Sequence, residues 1–175
     1  MKMIHMTCPG HPDATLEGYL LDCEVAFGQH TNRPAVIVCP GGGYTYCNAA
    51  EGEPVAVRYA ARGFHSFVLN YSVCWDAAGF TPLQELSWAI GYIREHAAEW
   101  HVDPDKIATC GFSAGGHLAA SAGVLWQESV LDELMAGAPR DICRPTGMVL
   151  SYRHEAAFGH TLRVFRQKNN DGYLF

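Results

Sequence analysis

The sequence predicts a three-layer αβα sandwich built on a mostly parallel sheet. Short, β-branched, uniformly apolar runs alternate with stretches whose apolar residues recur at helical spacing, the pattern of βαβ crossovers. Two of those apolar runs end directly in glycine clusters, Pro40-Gly41-Gly42-Gly43 and Gly111-Phe112-Ser113-Ala114-Gly115-Gly116, where the chain must turn sharply out of a strand.

The elements follow in order. Leu16 to Cys23 alternates imperfectly and reads as an early antiparallel strand ahead of Pro34. Ala35-Val36-Ile37-Val38-Cys39 is a strand buried on both faces. A helix starts near Pro54, which suits its first turn, and stops before Gly63. Phe67 to Tyr71 is the next buried strand, and Cys74 to Gly79 is a loop. Thr81, Pro82 and Gln84 read as N-cap, N1 and N3 of a capping box. Leu83, Leu86, Ile90, Ile93, Ala97 and Trp100 then form one apolar stripe.

Asp103-Pro104-Asp105 marks a turn into the strand Lys106 to Cys110, and an Ala-rich helix follows Ser113. A polar stretch from Gln127 to Arg144 holds a short helix at Val130 to Met135, before a fourth buried strand, Gly147 to Tyr152. The predicted order puts Ala35–Cys39 and Lys106–Gly111 side by side in the centre. Phe67–Tyr71 flanks the first and Gly147–Tyr152 the second. Residues 1–152 form one domain and 153–175 an atypical tail with a weak apolar pattern in Leu162, Val164 and Phe165.

A chain of 175 residues with 49% hydrophobic and 17% charged residues suits one close-packed domain. The net charge of -6 and scattered Lys and Arg argue against nucleic acid as a partner, since phosphate binding needs clustered positive charge. No run of about 20 apolar residues suggests a membrane span, and no secretory leader is read at the N-terminus. Seven dispersed cysteines without Cys-x-x-Cys fit free thiols in a reducing, cytoplasmic setting. Cys8 and His11 form the only short Cys/His pair, too little for a zinc site, and no metal or other cofactor is expected.

The chemistry centres on Gly111-x-Ser113-x-Gly115. A serine hydroxyl needs projection into a cleft and a base to take its proton. A tight strand-to-helix turn provides the projection, and glycines at both flanks let the backbones pass closely. The helix start at Ala114 points N–H groups towards the same space, where they can stabilise an oxyanion. Gly41-Gly42-Gly43 lacks the Gly-Lys-Ser/Thr of a Walker loop, and Tyr46 stands where a dinucleotide fingerprint needs glycine. A loop donating N–H groups to an oxyanion fits it better.

Pro40-Gly41-Gly42-Gly43-Tyr44, Asn70-Tyr71-Ser72-Val73, Asp103-Pro104-Asp105-Lys106-Ile107 and Gly111-Phe112-Ser113-Ala114-Gly115-Gly116-His117-Leu118 stand in the order of a known family. With the strand 144–152, the chain resembles the esterase/lipase branch of the α/β-hydrolase superfamily. It is most similar to bacterial acetyl-esterase and acetyl-xylan-esterase-like proteins, over about residues 13–152. The resemblance implies a partial α/β-hydrolase fold, Ser113 as nucleophile, and oxyanion N–H groups from Gly42, Gly43 and Ala114. It implies hydrolysis of short acyl esters, acetyl above all, on sugars or small alcohols. The family carries its acid and histidine beyond two further strands, which this sequence lacks, so the chain reads as truncated.

His117, one turn beyond Ser113, is misplaced for a general base in such a fold; His154, His160, Asp132, Asp141 and Asp171 do not fit the family's positions either. Two readings therefore stand, an ester hydrolase and a catalytically silent remnant or binding scaffold. The truncated edge at Gly147–Tyr152 invites pairing, so it is expected to be covered either by the tail or by a second copy, and a homodimer in which the tail after Tyr152 takes part is expected.

Overall fold

The computed structural model describes residues 1–132 and 137–153, and a last strand at 160–166. Its main sheet has seven strands in the order β1-β2-β6-β5-β7-β8-β9. These are β1 (Lys2–Cys8), β2 (His11–Leu20), β5 (Arg33–Cys39), β6 (His65–Asn70), β7 (Val102–Phe112), β8 (Gly147–Arg153) and β9 (His160–Arg166). A small hairpin, β3 (Glu24–Ala26) with β4 (Gln29–His30), stands apart. The helices are α1 (Glu53–Ala60), α2 (Thr81–Glu95), α3 (Ala97–Trp100) and α4 (Ala114–Leu125).

The central strand is β5, parallel to β6 on one side and β7 on the other, and β8 continues the parallel set. Strand β2 extends it antiparallel, as the pattern from Leu16 predicts, but it runs from His11 to Leu20 rather than to Cys23, and β1, which that pattern does not predict, pairs antiparallel with β2. The alternation of side chains sorts the core into two faces. Ala35, Ile37 and Cys39 join Phe67 and Leu69 under α2, α3 and α4, whereas Val38 and Val68 meet Ala56 of α1. The long stripe of α2 supplies Leu86, Ile90 and Ile93, each fully buried and each stabilising the fold by roughly 2 kcal/mol. The chain is thus an α/β sandwich, with the strand placement that its apolar runs predict.

Two local readings change, and a third falls partly outside the described residues. The Asp103-Pro104-Asp105 turn lies within β7: Arg33 pairs with Val102 and Ala35 with Ile107, so the intervening residues bulge out. The capping box does not form. Gly79 and Phe80 both take left-handed backbone (φ 65° and 69°), which turns the chain one residue early. Phe80 is therefore the N-cap, Thr81 is already helical and donates to the Ala78 carbonyl at 2.6 Å, and Gln84 donates to the Val130 carbonyl at 2.9 Å. Where a helix is predicted at Val130 to Met135, a 3₁₀ turn covers Ser129–Leu131, and positions 133–136 lie outside the described residues.

Of the two covers expected for the edge at Gly147–Tyr152, the tail is the one present. β9 pairs antiparallel with β8 from Gly147↔Arg166 to Arg153↔His160, so β8 is an interior strand and the tail contributes the edge. Within one chain, β9 therefore covers the backbone edge of 147–152.

All seven cysteines are free; five are buried, Cys47 is half-buried and Cys74 is exposed. Among the described residues no group of three or more His, Cys, Asp or Glu could hold a metal ion, and no helix is long and apolar enough to cross a membrane.

Candidate active site

The β7–α4 turn is shaped by two glycines. A Cβ on Gly111 would stand 2.1 Å from the Gly115 carbonyl oxygen, and one on Gly115 would stand 2.1 Å from that of Cys39. No side chain fits either place, so the turn packs directly on the end of β5. Between them Ser113 takes φ 50° and ψ -112°, a backbone conformation that costs an L-residue about 1–3 kcal/mol. Its N–H donates to the Ser151 carbonyl at 2.9 Å and its own carbonyl accepts from His117 N at 3.0 Å, which holds the strained residue in place. The side chain is exposed.

The loop after β5 comes to the same spot. A Cβ on Gly41 would lie 3.3 Å from Ser113 Cβ, so the two glycine-rich turns touch. Gly42 has φ 140°, and a Cβ there would stand 1.9 Å from the Tyr46 carbonyl oxygen. The Gly41 N–H donates to the Glu51 carboxylate at 2.8 Å, and the amides of Thr45 and Asn48 close the loop on the carbonyls of Gly42 and Gly41. Among the described residues the N–H groups of Gly42, Gly43 and Ala114 donate to no backbone carbonyl or side chain. The fold thus gathers all four residues singled out in the sequence, Ser113, Gly42, Gly43 and Ala114, around the two touching turns at one end of the central strands.

Behind the loop, Tyr71 donates to the Pro40 carbonyl at 2.6 Å. Ser72 donates from both N–H (2.8 Å) and Oγ to the fully buried Glu85 carboxylate, which also faces His11 at 3.4 Å. Burial pushes the Glu85 carboxyl above its ordinary range, and the two Ser72 bonds pull it back down. This anchor was not read from the sequence: Glu85 looks there like any polar residue between apolar ones on α2.

A cleft of about 440 Å³ opens beside the turn, lined by Tyr44, Trp75, Phe80, Leu83, His117 and Leu125 among others. The walls are carbon-rich, and Tyr44 and His117 supply a polar edge. Tyr44 Oη lies 2.9 Å from His117 Nδ1. Among the described residues no histidine ring or carboxylate hydrogen-bonds Ser113 Oγ. Of the histidines named from the sequence, His154 lies outside the described residues, as does Asp171. The backbone of His160 opens β9 opposite Arg153, at the same end of the sheet as Ser113.

Comparison with known proteins bears on the family and the fold. Residues 21–142 match the family model described as BD-FAE. Endo-1,4-beta-xylanase B of Butyrivibrio fibrisolvens is 36% identical over 69% of this chain and 19% of its own length. The acetylxylan esterase of Xylanibacter ruminicola is 31% identical over 49% of this chain and 18% of its own. Among solved structures, an α/β hydrolase enzyme from a Medee basin deep-sea metagenome shares 37% identity with a TM-score of 0.70, over 89% of this chain and 60% of that one. The chain therefore spans about a fifth of these curated relatives and somewhat over half of the solved one.

Proposed function

The chain belongs to the BD-FAE family and to the α/β-hydrolase superfamily, and from that premise we propose that it is a serine carboxylic-ester hydrolase for short acyl esters, acetyl in the first place, on sugars or small alcohols. The observation that carries this reading is the Ser113 turn: an exposed hydroxyl on a strained backbone at the start of a helix, against a glycine loop with undonated N–H groups. Homology to esterases supports the reaction class. The acetylxylan esterase and the xylanase among the relatives support an acetylated sugar as substrate.

In this reading Ser113 Oγ attacks the carbonyl carbon, and the developing oxyanion is held by the N–H groups of Gly42, Gly43 and Ala114. The C–O bond breaks, the alcohol leaves with a proton, and water releases the acid from Ser113. The base that takes the Ser113 proton would be a histidine of the tail, where His154 lies outside the described residues, or of a second chain. No cofactor takes part. The negative net charge argues against a nucleic-acid partner, and the free thiols support a reducing, cytoplasmic setting.

One observation favours a second reading, a scaffold that binds without turnover: no histidine or carboxylate among the described residues bonds Ser113 Oγ. Loss of triad members leaves only a small part of the full acceleration. Turnover of p-nitrophenyl acetate by the purified chain and by Ser113→Ala, with a serine-reactive phosphonate followed by mass spectrometry, separates the two. Hydrolysis lost in Ser113→Ala and a label on Ser113 support the hydrolase. Equal rates and an unlabelled Ser113 leave the scaffold.

A further inference from the structure

Tyr44 and His117 take no part in the chemistry just described, yet they join its two halves. Tyr44 directly follows Gly43 at the end of the glycine loop, and His117 lies one turn along α4 from Ser113. Their hydrogen bond spans 2.9 Å, and the rings meet edge-on with centroids 6.0 Å apart. Tyr44 has a left-handed backbone, φ 59°, which a non-glycine residue keeps only where its surroundings impose it. Those surroundings are specific. The Tyr44 carbonyl accepts from Cys74 N at 2.7 Å, and its ring meets Tyr71 edge-on at 5.7 Å. The hydroxyl then reaches across to the helix that begins at Ser113.

We propose that Tyr44 and His117 form a clasp: two positioning residues that set the distance between the 42–43 amides and Ser113 Oγ without touching the reacting atoms. The proposal rests on the serine-hydrolase reading of the same site. The clasp takes the Tyr44 O–H as donor and His117 Nδ1 as acceptor, the arrangement in which the imidazole proton sits on Nε2. Oxyanion donors work through placement, and a shift of about 1 Å is enough to cost up to a hundredfold in rate. A bond that ties the donor loop to the nucleophile's helix therefore acts on the reaction step, and a small probe that fills little of the cleft these two side chains line separates that effect from binding.

The test uses p-nitrophenyl ethylphosphonate. Ser113 Oγ forms the bond to phosphorus, nitrophenolate leaves, and the serine proton passes to solvent. The maximal labelling rate kinact and the half-saturating concentration KI are measured separately. Tyr44→Phe and His117→Leu each lower kinact by about tenfold with KI within about twofold. The double variant is no worse than either single one, because both remove the same bond. His117→Asn, whose Oδ1 can stand where Nδ1 does, recovers most of the rate. Amide exchange at Thr45 and Asn48 quickens in Tyr44→Phe and His117→Leu and stays slow in His117→Asn.

Losses that multiply in the double variant, a change confined to KI, or an Asn variant as poor as Leu overturns the clasp. The last outcome marks His117 as acting through its own ring. A labelled wild type with unchanged variants overturns the clasp alone, whereas an unlabelled wild type overturns the serine-hydrolase reading and with it the clasp's bearing on rate.

Discussion

Ser113 spends stability on shape. Its φ of 50° is one that glycine adopts freely and other residues do not. Ser113→Gly should therefore raise the unfolding free energy by about 1 kcal/mol, and Ser113→Ala should leave it near the wild-type value. Urea midpoints at constant slope check both. Stability unchanged in the glycine variant would mean that the strain is balanced by contacts of the serine side chain. Gly115 behaves in the opposite sense. Its neighbours leave 2.1 Å to Cys39 O and 2.5 Å to Pro40 O, all of it backbone, so Gly115→Ala must push the turn off β5. A loss of about 3 kcal/mol or more is expected, read as a lowered thermal midpoint.

At the scale of elements, His65 ties the start of β6 to the end of β2. Its Nδ1 accepts from Leu21 N at 3.0 Å, its Nε2 lies 3.4 Å from Cys23 Sγ, and the residue is fully buried. Burial lowers its pKa from 6.5 to about 4. The folded state thus takes up the proton later than the unfolded chain does. The stability tied to neutral His65 is complete above 6.5 and is lost as the pH falls from 6.5 towards about 4. Urea titrations across that range should show a loss of the order of 2 kcal/mol, with a flatter profile in His65→Gln. A wild-type profile no steeper than that of the variant would refute it.

The same scale shows what could be read from the chain. The strands buried on both faces declare themselves through unbroken apolar runs, as in Ala35–Cys39. β1 is harder to read: Ile4, Met6 and Cys8 face the core between exposed His5 and Thr7, but the alternation is short and exposed Lys2 and Met3 precede it on an edge strand. The α2 cap was misread because the signal at Thr81 is local, whereas the turn at Gly79–Phe80 decides where the helix begins. At the site, the glycines and serine were legible from their spacing. The Tyr44–His117 and Ser72–Glu85 contacts were not, since each joins residues far apart in sequence.

For the whole molecule, the sheet has two edges, β1 and β9, and the second is formed by a segment that composition alone sets apart. β9 covers the backbone of β8, an apolar strand that carries the Ser151 carbonyl holding Ser113. A chain ending at Arg153 exposes that strand. It should self-associate at micromolar concentration more strongly than the full chain, as measured by light scattering, because an open apolar edge is a template for pairing. Equal scattering by the two chains would show that β9 does not protect the edge.

The uneven burial of the thiols gives this protein a built-in reporter position. Thiolate is the reactive form, and burial drives the Cys39, Cys110 and Cys143 thiols up and that of Cys8 to about 12. Cys74 is exposed, lines the cleft, and donates to the Thr45 carbonyl at 3.3 Å. A polarity-sensitive maleimide dye at neutral pH will therefore mark Cys74 first with no other cysteine removed. Its emission will shift when a ligand displaces water from the cleft, so occupancy becomes readable by fluorescence even for compounds that the protein does not turn over.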